Sequence, residues 1–294
     1  MDQPPYLLGL VGGNILKSLA PTLQEDALRA FGLRGHYHLM DLDVPPQRQL
    51  ADVFEAVRRV GFTGVNVTFP VKQAVMPLLD AISDEARQIG AVNTVTFDQG
   101  GWATGHNTDR SGFRRSLEDT FGVKALQDQT IALVGAGGAG RACAFALMDM
   151  GAGRVDIYDV EPVKAVGLAA DLAQHFGPLR SRQTNDLRAA VRGARGIVNA
   201  SPIGMAGIPG NPVPTDDLSS AHWVADIIYT PLQTQLIKAA QAKGCRVITG
   251  DGMNVRQAVD SFRHFTGREA DFTRMKRTFD AAMAARIAAS EASH

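Results

Sequence analysis

A strand, a glycine-rich turn and a helix follow one another at residues 130–151, and this arrangement constrains the fold more than any other feature. The stretch TIALVGAGGAG places the pattern G-x-G-x-x-G directly after an apolar run and ahead of a helical segment. In that context the first glycine permits a tight turn, the second lets the backbone approach a pyrophosphate, and the last lets helix and strand pack closely. The helix N-terminus offers N–H groups and a partial positive charge to phosphates. The pattern predicts a dinucleotide site formed by Gly135, Gly137, Gly138, Ala139 and Gly140.

The next strand ends in an acidic residue. The run RVDIYD occupies residues 154–159, so Asp159 stands at its end. A carboxylate there can accept hydrogen bonds from the adenosine ribose hydroxyls of NAD and would repel the 2′-phosphate of NADP. The first basic residue after it is Lys164, whereas a basic residue directly after the strand is typical of NADP sites. We therefore expect NAD as the cofactor, with NADP less favoured.

Short apolar runs alternate with amphipathic segments along most of the chain. The predicted strands lie at 6–12, 35–43, 62–69, 91–97, 101–107, 130–134, 154–159, 196–201, 222–229 and 245–250. The predicted helices include segments at 20–32, 49–61 and 161–177, a helix that starts within 71–79, and helices after residue 250. The strands at 91–97 and 101–107 predict a hairpin around Gly100 and Gly101. The alternation elsewhere predicts an α/β fold with a parallel sheet covered on both faces.

Composition excludes several classes of partner. Lysine plus arginine equals aspartate plus glutamate, at 30 each, which argues against nucleic acid or an anionic membrane as a partner. No segment approaches the length of about 20 apolar residues that spans a bilayer. The N-terminal residues have no basic region typical of a signal peptide. The two cysteines, Cys143 and Cys245, lie far apart without metal-like spacing, so a reducing cytoplasm is expected and no metal site is predicted.

Several further motifs occur together in one order. They are NVTFPVK at 66–72, GAVNTV at 90–95, GHNTDRSGF at 105–113, VGAGGAG at 134–140 and GDGMNVRQAVDSF at 250–262. Together they resemble the shikimate/quinate dehydrogenase family, and the similarity runs from about residue 8 to residue 265. The resemblance implies an N-terminal α/β domain at 1–113 that binds substrate, to which 250–294 return as helices. It also implies a Rossmann-type dinucleotide-binding domain at 114–249.

The resemblance also implies which residues carry the chemistry. Lys72, alone, could be a solvated lysine, but in the family's pattern Lys72 and Asp109 form the catalytic pair of an enzyme that oxidises a ring hydroxyl with NAD(P). An ammonium and a carboxylate together can hold the hydroxyl and relay its proton. The positions that match the family's substrate-binding residues are Ser18, Asn66, Thr68, Asn93, Tyr229 and Gln257. Those that match its cofactor-binding residues, besides the glycine-rich turn and Asp159, are Asn199, Ser201, Gly250 and Met253.

Two positions depart from the family's pattern. The carboxylate-binding motif Ser-x-Ser-Pro or Ser-x-Thr-Pro is here Ser18-Leu19-Ala20-Pro21, so the second hydroxyl is missing. Carboxylate binding is then weak, or another group compensates, or the preferred substrate is not shikimate. Arg110 stands where many members have glycine, and we expect it to be solvated rather than near the cofactor.

The favoured function is NAD-dependent interconversion of shikimate and 3-dehydroshikimate. The alternatives are a quinate or aminoshikimate-type dehydrogenase and, from another class, a non-catalytic NAD-sensing regulatory protein. Retention of Lys72, Asp109 and Asn93 argues against the sensor, since a sensor needs no proton relay. The expected partner is a small-molecule substrate, with a possible homodimer.

Overall fold

The chain divides into two compact units. The structure, a computed structural model, describes residues 4–45, 47–123 and 125–291. One unit comprises Met1–Thr108 together with Val255–His294, and the other comprises Asp109–Asn254. Residues from both ends of the chain therefore build the first unit.

The described residues contain twelve strands. They are β1 (Tyr6–Gly12), β2 (Gly35–Asp41), β3 (Gly64–Val67), β4 (Ala81–Ile82), β5 (Thr94–Phe97), β6 (Ala103–His106), β7 (Thr130–Val134), β8 (Arg154–Tyr158), β9 (Ser181–Gln183), β10 (Gly196–Asn199), β11 (Trp223–Asp226) and β12 (Arg246–Ile248). They form two six-stranded sheets, one in each unit.

The same ranges contain ten α-helices. They are α1 (Ala20–Ala30), α2 (Leu50–Val60), α3 (Asp84–Ile89), α4 (Asp109–Phe121), α5 (Gly138–Asp149), α6 (Pro162–Phe176), α7 (Leu187–Gly193), α8 (Gln235–Ala242), α9 (Gly250–Thr266) and α10 (Phe272–Glu291). Among these described helices, none is long and apolar enough to cross a membrane. The predicted α/β class with a Rossmann-type sheet is confirmed.

The sheet of the first unit is mixed, in the order β2-β1-β3-β5-β6-β4. Strand β1 is parallel to β2 and β3, whereas β5 is antiparallel to β3 and β6. The pair β5–β6 confirms the predicted hairpin. The register places Asn66 opposite Thr94, and Thr94 opposite His106. Polar residues of three adjacent strands therefore share one row of the sheet.

The sheet of the second unit is entirely parallel, in the order β12-β11-β10-β7-β8-β9. The chain adds β8 and β9 on one side of β7 and then returns to add β10, β11 and β12 on the other. The order reverses between β7 and β10, and ligands of such sheets bind outside the carboxyl ends of the strands at this point. The glycine-rich turn follows β7 and Asn199 ends β10, so the topology brings both predicted cofactor segments to the switch point.

The predicted helix within residues 71–79 is wrong. This segment consists of turns and a short 3₁₀ helix at Met76–Leu78. The carbonyl oxygen of Lys72 accepts a hydrogen bond from the N–H of Val92 at 2.9 Å and is therefore used outside any helix. Pro77 has no N–H to donate to a preceding turn. The long-range hydrogen bond and the proline thus disfavour the helix that the local spacing of apolar residues predicted.

Candidate active site

The glycine-rich turn links β7 to α5. Gly135 has a φ of +98°, and a Cβ atom on it would lie 2.8 Å from the carbonyl carbon of Ala200, so glycine is required. A Cβ atom on Gly140 would collide with the carbonyl oxygen of Gly135. At Gly137 no described atom outside its chain neighbours and its own helix backbone lies within 4 Å of the Cβ position, so the backbone faces open space. Among the described side chains none caps the start of α5, and the turn therefore fits a pyrophosphate.

Asp159 lies beside this turn, directly after β8. Its Oδ2 accepts a hydrogen bond from the N–H of Ala136 at 2.7 Å, and its Oδ1 accepts one from the N–H of Glu161 at 2.8 Å. A carboxylate has about four acceptor sites, so these two bonds leave capacity for ribose hydroxyls. The partly buried carboxylate is held against the glycine-rich turn, and its contact with ribose stays a prediction.

Asn199 is buried and organises the turn after β10. Its Nδ2 donates to Oδ1 of Asp226 at 3.0 Å, and its Oδ1 accepts the N–H and the hydroxyl of Ser201 at 3.0 and 2.7 Å. Burial raises the pKa of Asp226, while hydrogen bonds from Thr234, the N–H of Ile228 and Asn199 oppose that shift. The cofactor roles of Asn199 and Ser201 stay predictions. Sequence reasoning missed Asp226, whose signal is an acid that ends a buried apolar strand.

A buried network of polar side chains surrounds Asn66 in the first unit. Its Oδ1 accepts the hydroxyl of Tyr37 at 2.8 Å. Its Nδ2 donates to the hydroxyl oxygens of Ser261 and Thr94, at 2.9 and 3.0 Å, and lies 3.2 Å from the carbonyl oxygen of Asn93. Both ends of the amide are thus engaged within the protein. Asn66 ties β2, β3, β5 and α9 together, and its contact with substrate stays a prediction.

The side chain of Asn93 makes hydrogen bonds to Thr108, the residue that precedes α4. Its Oδ1 accepts the N–H of Thr108 at 2.8 Å, and its Nδ2 donates to the Thr108 hydroxyl at 2.9 Å. The hydroxyl of Thr108 lies 3.2 Å from that of Ser261. Because Asp109 directly follows Thr108, these bonds fix the residue before the predicted catalytic carboxylate.

Ser261 is a polar residue that sequence reasoning missed. It is fully buried, and its hydroxyl donates to the carbonyl oxygen of Gln257, one turn earlier in α9, at 2.8 Å. It thereby joins the helix that carries Gln257 to the network around Asn66. The available signal was its spacing: positions four apart lie on one face of a helix.

Lys72 lies in a turn after β3 and is partly buried. Its carbonyl oxygen accepts the N–H of Val92, the residue before Asn93. The structure therefore brings the backbone of Lys72 next to the start of β5, where Asn93 lies. This proximity links two motifs that the sequence separates by about twenty residues.

Ser18 and Thr68 also lie outside regular elements in the first unit. The Ser18 hydroxyl oxygen accepts the N–H of Ala20 at 3.2 Å, at the start of α1. The N–H of Thr68 donates to the carbonyl oxygen of Val11 at 2.9 Å, directly after β3. Both residues thus stand where a strand or helix begins or ends, and both are partly buried.

The remaining predicted residues lie in the second unit. Asp109 is buried and begins α4, whereas Tyr229 follows β11 and is partly buried. Gly250 begins α9, and a Cβ atom on it would collide with the carbonyl oxygen of Ile227, so only glycine fits. Met253 is buried in the same helical turn.

Arg110 is not solvated as predicted. Its side chain is 14% exposed, and its Nε and Nη2 donate to both carboxylate oxygens of Asp149, each at 2.7 Å. The expectation failed because Asp149 lies 39 residues away in sequence, at the end of another helix.

Two histidines stack in the first unit. The ring centres of His106 in β6 and His264 in α9 are 4.1 Å apart, with planes 24° from parallel. Burial and the nearby His264 lower the pKa of His106 to about 4. Burial, with Arg263, also lowers the pKa of His264, while Asp260 acts in the opposite direction. Two protonated rings at this separation would repel each other.

Comparison with known proteins identifies relatives of the whole chain. Residues 10–95 match the shikimate dehydrogenase substrate binding domain. The chain is 44% identical to a shikimate dehydrogenase (NADP(+)) of Streptomyces avermitilis over 280 residues, which cover 94% of this chain and 95% of that protein. It is 41% identical to a quinate/shikimate dehydrogenase (NAD(+)) of Corynebacterium efficiens, with 95% and 99% covered.

A solved structure shows the same fold. The quinate dehydrogenase of Corynebacterium glutamicum in complex with NAD superposes with a TM-score of 0.85 at 39% identity, and the alignment covers 94% of this chain and 99% of that one. Because the relatives include proteins named for NADP(+) and for NAD(+), similarity alone leaves the choice of cofactor open.

Proposed function

This chain belongs to the shikimate/quinate dehydrogenase family, and on that premise we propose that it interconverts shikimate and 3-dehydroshikimate with NAD as its preferred cofactor. It is an NAD(P)-dependent oxidoreductase that acts on a cyclic polyol carboxylate. The observation that carries the choice of NAD is the Asp159 carboxylate, held against the glycine-rich turn by the N–H of Ala136.

The proposed proton chemistry uses Lys72 and Asp109. In the oxidation, the substrate hydroxyl loses its proton as its carbon loses a hydride. The bound nicotinamide supplies the hydride acceptor in this direction and the donor in reverse. The Lys72 ammonium and the Asp109 carboxylate hold the hydroxyl and relay its proton, with the carboxylate as the final acceptor, and the ammonium stabilises the negative charge that develops on oxygen. The buried position of Asp109 supports this role, because an interaction with charge is stronger where water is excluded.

We assign recognition of the substrate's polar groups to the residues that match the family's substrate-binding positions. The proposed contacts are Ser18, Asn66, Thr68, Asn93, Tyr229 and Gln257. Asn93 is supported by its position next to the backbone of Lys72 and by its bonds to Thr108. A site built from hydrogen-bonding groups rejects analogues that leave those groups unpaired.

The wider assignment follows the same proposal. Residues 1–113 with 250–294 bind substrate, and 114–249 bind the dinucleotide. Asn199 and Ser201 line the cofactor, as do Gly250 and Met253 at the start of the returning segment. We further propose a cytoplasmic enzyme, which the wide separation of Cys143 and Cys245 in sequence, without a disulfide framework, supports. Homodimer formation remains part of this proposal.

Quinate is the second candidate substrate, because Ala20 removes a hydroxyl from the carboxylate-binding motif and two relatives carry quinate in their names. The aminoshikimate alternative has no specific observation in its favour. The relatives are named as dehydrogenases, which gives no support to a non-catalytic sensor.

Initial-rate kinetics test the proposal. Shikimate and quinate are each measured with NAD and with NADP, at matched enzyme concentration. We expect the highest kcat/KM for shikimate with NAD. A higher kcat/KM for quinate moves the assignment to the second candidate, and no turnover with either substrate contradicts the proposed function.

A further inference from the structure

Arg110 and Asp149 join the first turn of α4 to the last residue of α5. The contact is bidentate, with both nitrogen-to-oxygen distances at 2.7 Å. The guanidinium carbon also lies 5.3 Å from the centre of the Phe145 ring. Phe145 precedes Asp149 by four residues, so one face of α5 holds the guanidinium through an aromatic ring and a carboxylate. The side chains are 14% and 22% exposed, which limits screening by salt.

Arg110 and Asp149 each carry a charge that the dipole of its own helix disfavours. A cation in the first turn of a helix faces the positive end of the helix dipole, and an anion at the last residue faces the negative end. Arg110 and Asp149 occupy these two unfavourable positions. Each charge is stabilised by the other rather than by its own helix, so the pair acts as a specific link between two helix ends.

This link lies next to the proposed catalytic carboxylate. Asp109 begins α4 and directly precedes Arg110, while α5 starts at the glycine-rich turn and ends at Asp149. One ion pair therefore connects α4, which begins with Asp109, to α5, which follows the glycine-rich turn, and both helices lie in the second unit.

We propose that Arg110, held by Asp149, is a positioning residue that fixes the direction of the Asp109 carboxylate relative to the glycine-rich turn. A bidentate pair restricts both rotation and sliding of the first turn of α4, and the side chain of Asp109 follows that backbone. The inference rests on the proposed function, because positioning the Asp109 carboxylate matters for turnover only if that carboxylate takes part in the reaction.

A double-mutant cycle on kcat tests the link. We expect Arg110→Ala and Asp149→Ala each to lower kcat about 10- to 100-fold, the scale of a misplaced catalytic group. The Kd for NAD, measured by calorimetry, stays within about threefold. The double variant loses no more kcat than the single variant with the larger loss, because both substitutions break the same contact. Arg110→Lys, which keeps the charge but not the fork, recovers part of kcat.

The control and a second measurement keep the test decisive. Arg192→Ala removes an exposed arginine that pairs with Asp217 at 3.1 Å in the same unit, and its kcat is expected to stay within about twofold of wild type. Hydrogen exchange of the peptide that covers α4 is expected to accelerate in Arg110→Ala and Asp149→Ala but not in Arg192→Ala.

Three results overturn the inference: folded Arg110→Ala with wild-type kcat, single losses that multiply in the double variant, or unchanged exchange in α4. The exchange measurement needs no turnover. An inactive wild type therefore contradicts the proposed function, whereas unchanged exchange contradicts the link itself.

Discussion

Oδ2 of Asp159 accepts a hydrogen bond at 2.7 Å from the backbone N–H of Ala136, inside the glycine-rich turn. The acid that directly follows β8 is therefore bonded to the turn that follows β7. A substitution of Asp159 can remove its charge, its acceptor atom, or both, and these effects are separable by the choice of variant.

Asp159→Asn is expected to shift the cofactor preference toward NADP. The amide keeps an oxygen that can accept from Ala136 but loses the charge that repels a 2′-phosphate. We expect kcat/KM with NADP to rise about tenfold, the scale of a partly screened charge pair worth about 1.4 kcal/mol. Asp159→Ala, which also removes the acceptor, should gain less. Initial rates with both cofactors check this, and a wild-type enzyme that prefers NADP would contradict the assignment.

Lys72→Ala is expected to bind cofactor normally and to lose kcat by about 10²- to 10⁴-fold, the usual contribution of a general acid or base. The matched control is Lys243→Ala, which removes an exposed lysine after α8 and should leave kcat unchanged. Steady-state rates together with the Kd for NAD separate chemistry from binding. If purified Lys72→Ala keeps more than about a tenth of kcat, the proton relay has been assigned to the wrong residue.

Ala20→Ser is expected to lower the KM for shikimate. A hydrogen bond to a charged group contributes about 1.5–3 kcal/mol, or about 10- to 150-fold in affinity. Ala20 begins α1 beside Ser18 and is partly buried, so a serine fits the family's pattern there. The carboxylate is remote from the reacting hydroxyl, and kcat should therefore change little.

Ala30→Ser, at the other end of α1, is the control and should leave KM unchanged. Both constants are measured at saturating NAD. An unchanged or higher KM in Ala20→Ser would mean that this site is built around alanine, and would favour a substrate other than shikimate.

Asn66→Ala is expected to destabilise the protein by about 2 kcal/mol or more, because Tyr37, Thr94 and Ser261 lose a buried partner. Urea unfolding measures the change. Asn185→Ala, at an exposed turn, should stay within about 0.5 kcal/mol of wild type. If Asn66→Ala alters KM but not stability, its role is binding rather than support of the network.

Acidification is expected to destabilise the stacked histidines. The pKa of His106 is lowered to about 4 in the folded protein, below its ordinary value of 6.5, so the unfolded chain binds its proton more readily. The contribution of His106 is therefore fully present above pH 6.5 and is lost as the pH falls toward 4. The lowered pKa of His264 acts in the same direction.

The measurement compares urea midpoints at pH 7 and pH 5. His106→Phe keeps a ring against His264 and should lose less stability on acidification than wild type. His38→Phe, at an exposed position of β2, should lose as much as wild type. If His106→Phe and wild type lose the same stability between pH 7 and pH 5, the histidine pair is not the cause of the acid destabilisation.

Local patterns predicted much of this protein because their physical causes are local. The turn at Gly135 and Gly140 requires glycine for steric reasons within one strand–turn–helix unit, and the hairpin of β5 and β6 follows from alternation around two glycines. The prediction of a helix within 71–79 was wrong because a distant group, the N–H of Val92, donates a hydrogen bond to the carbonyl oxygen of Lys72.

The sequence by itself determined the α/β class, the family and the dinucleotide turn, since periodicity, glycine positions and motif order are properties of neighbouring residues. Only the tertiary structure decided which polar groups satisfy one another. Asn66 meets Ser261 across 195 residues, and Arg110 meets Asp149 across 39. Such partners are chosen by burial, because a polar group removed from water must find a donor or acceptor wherever packing places one.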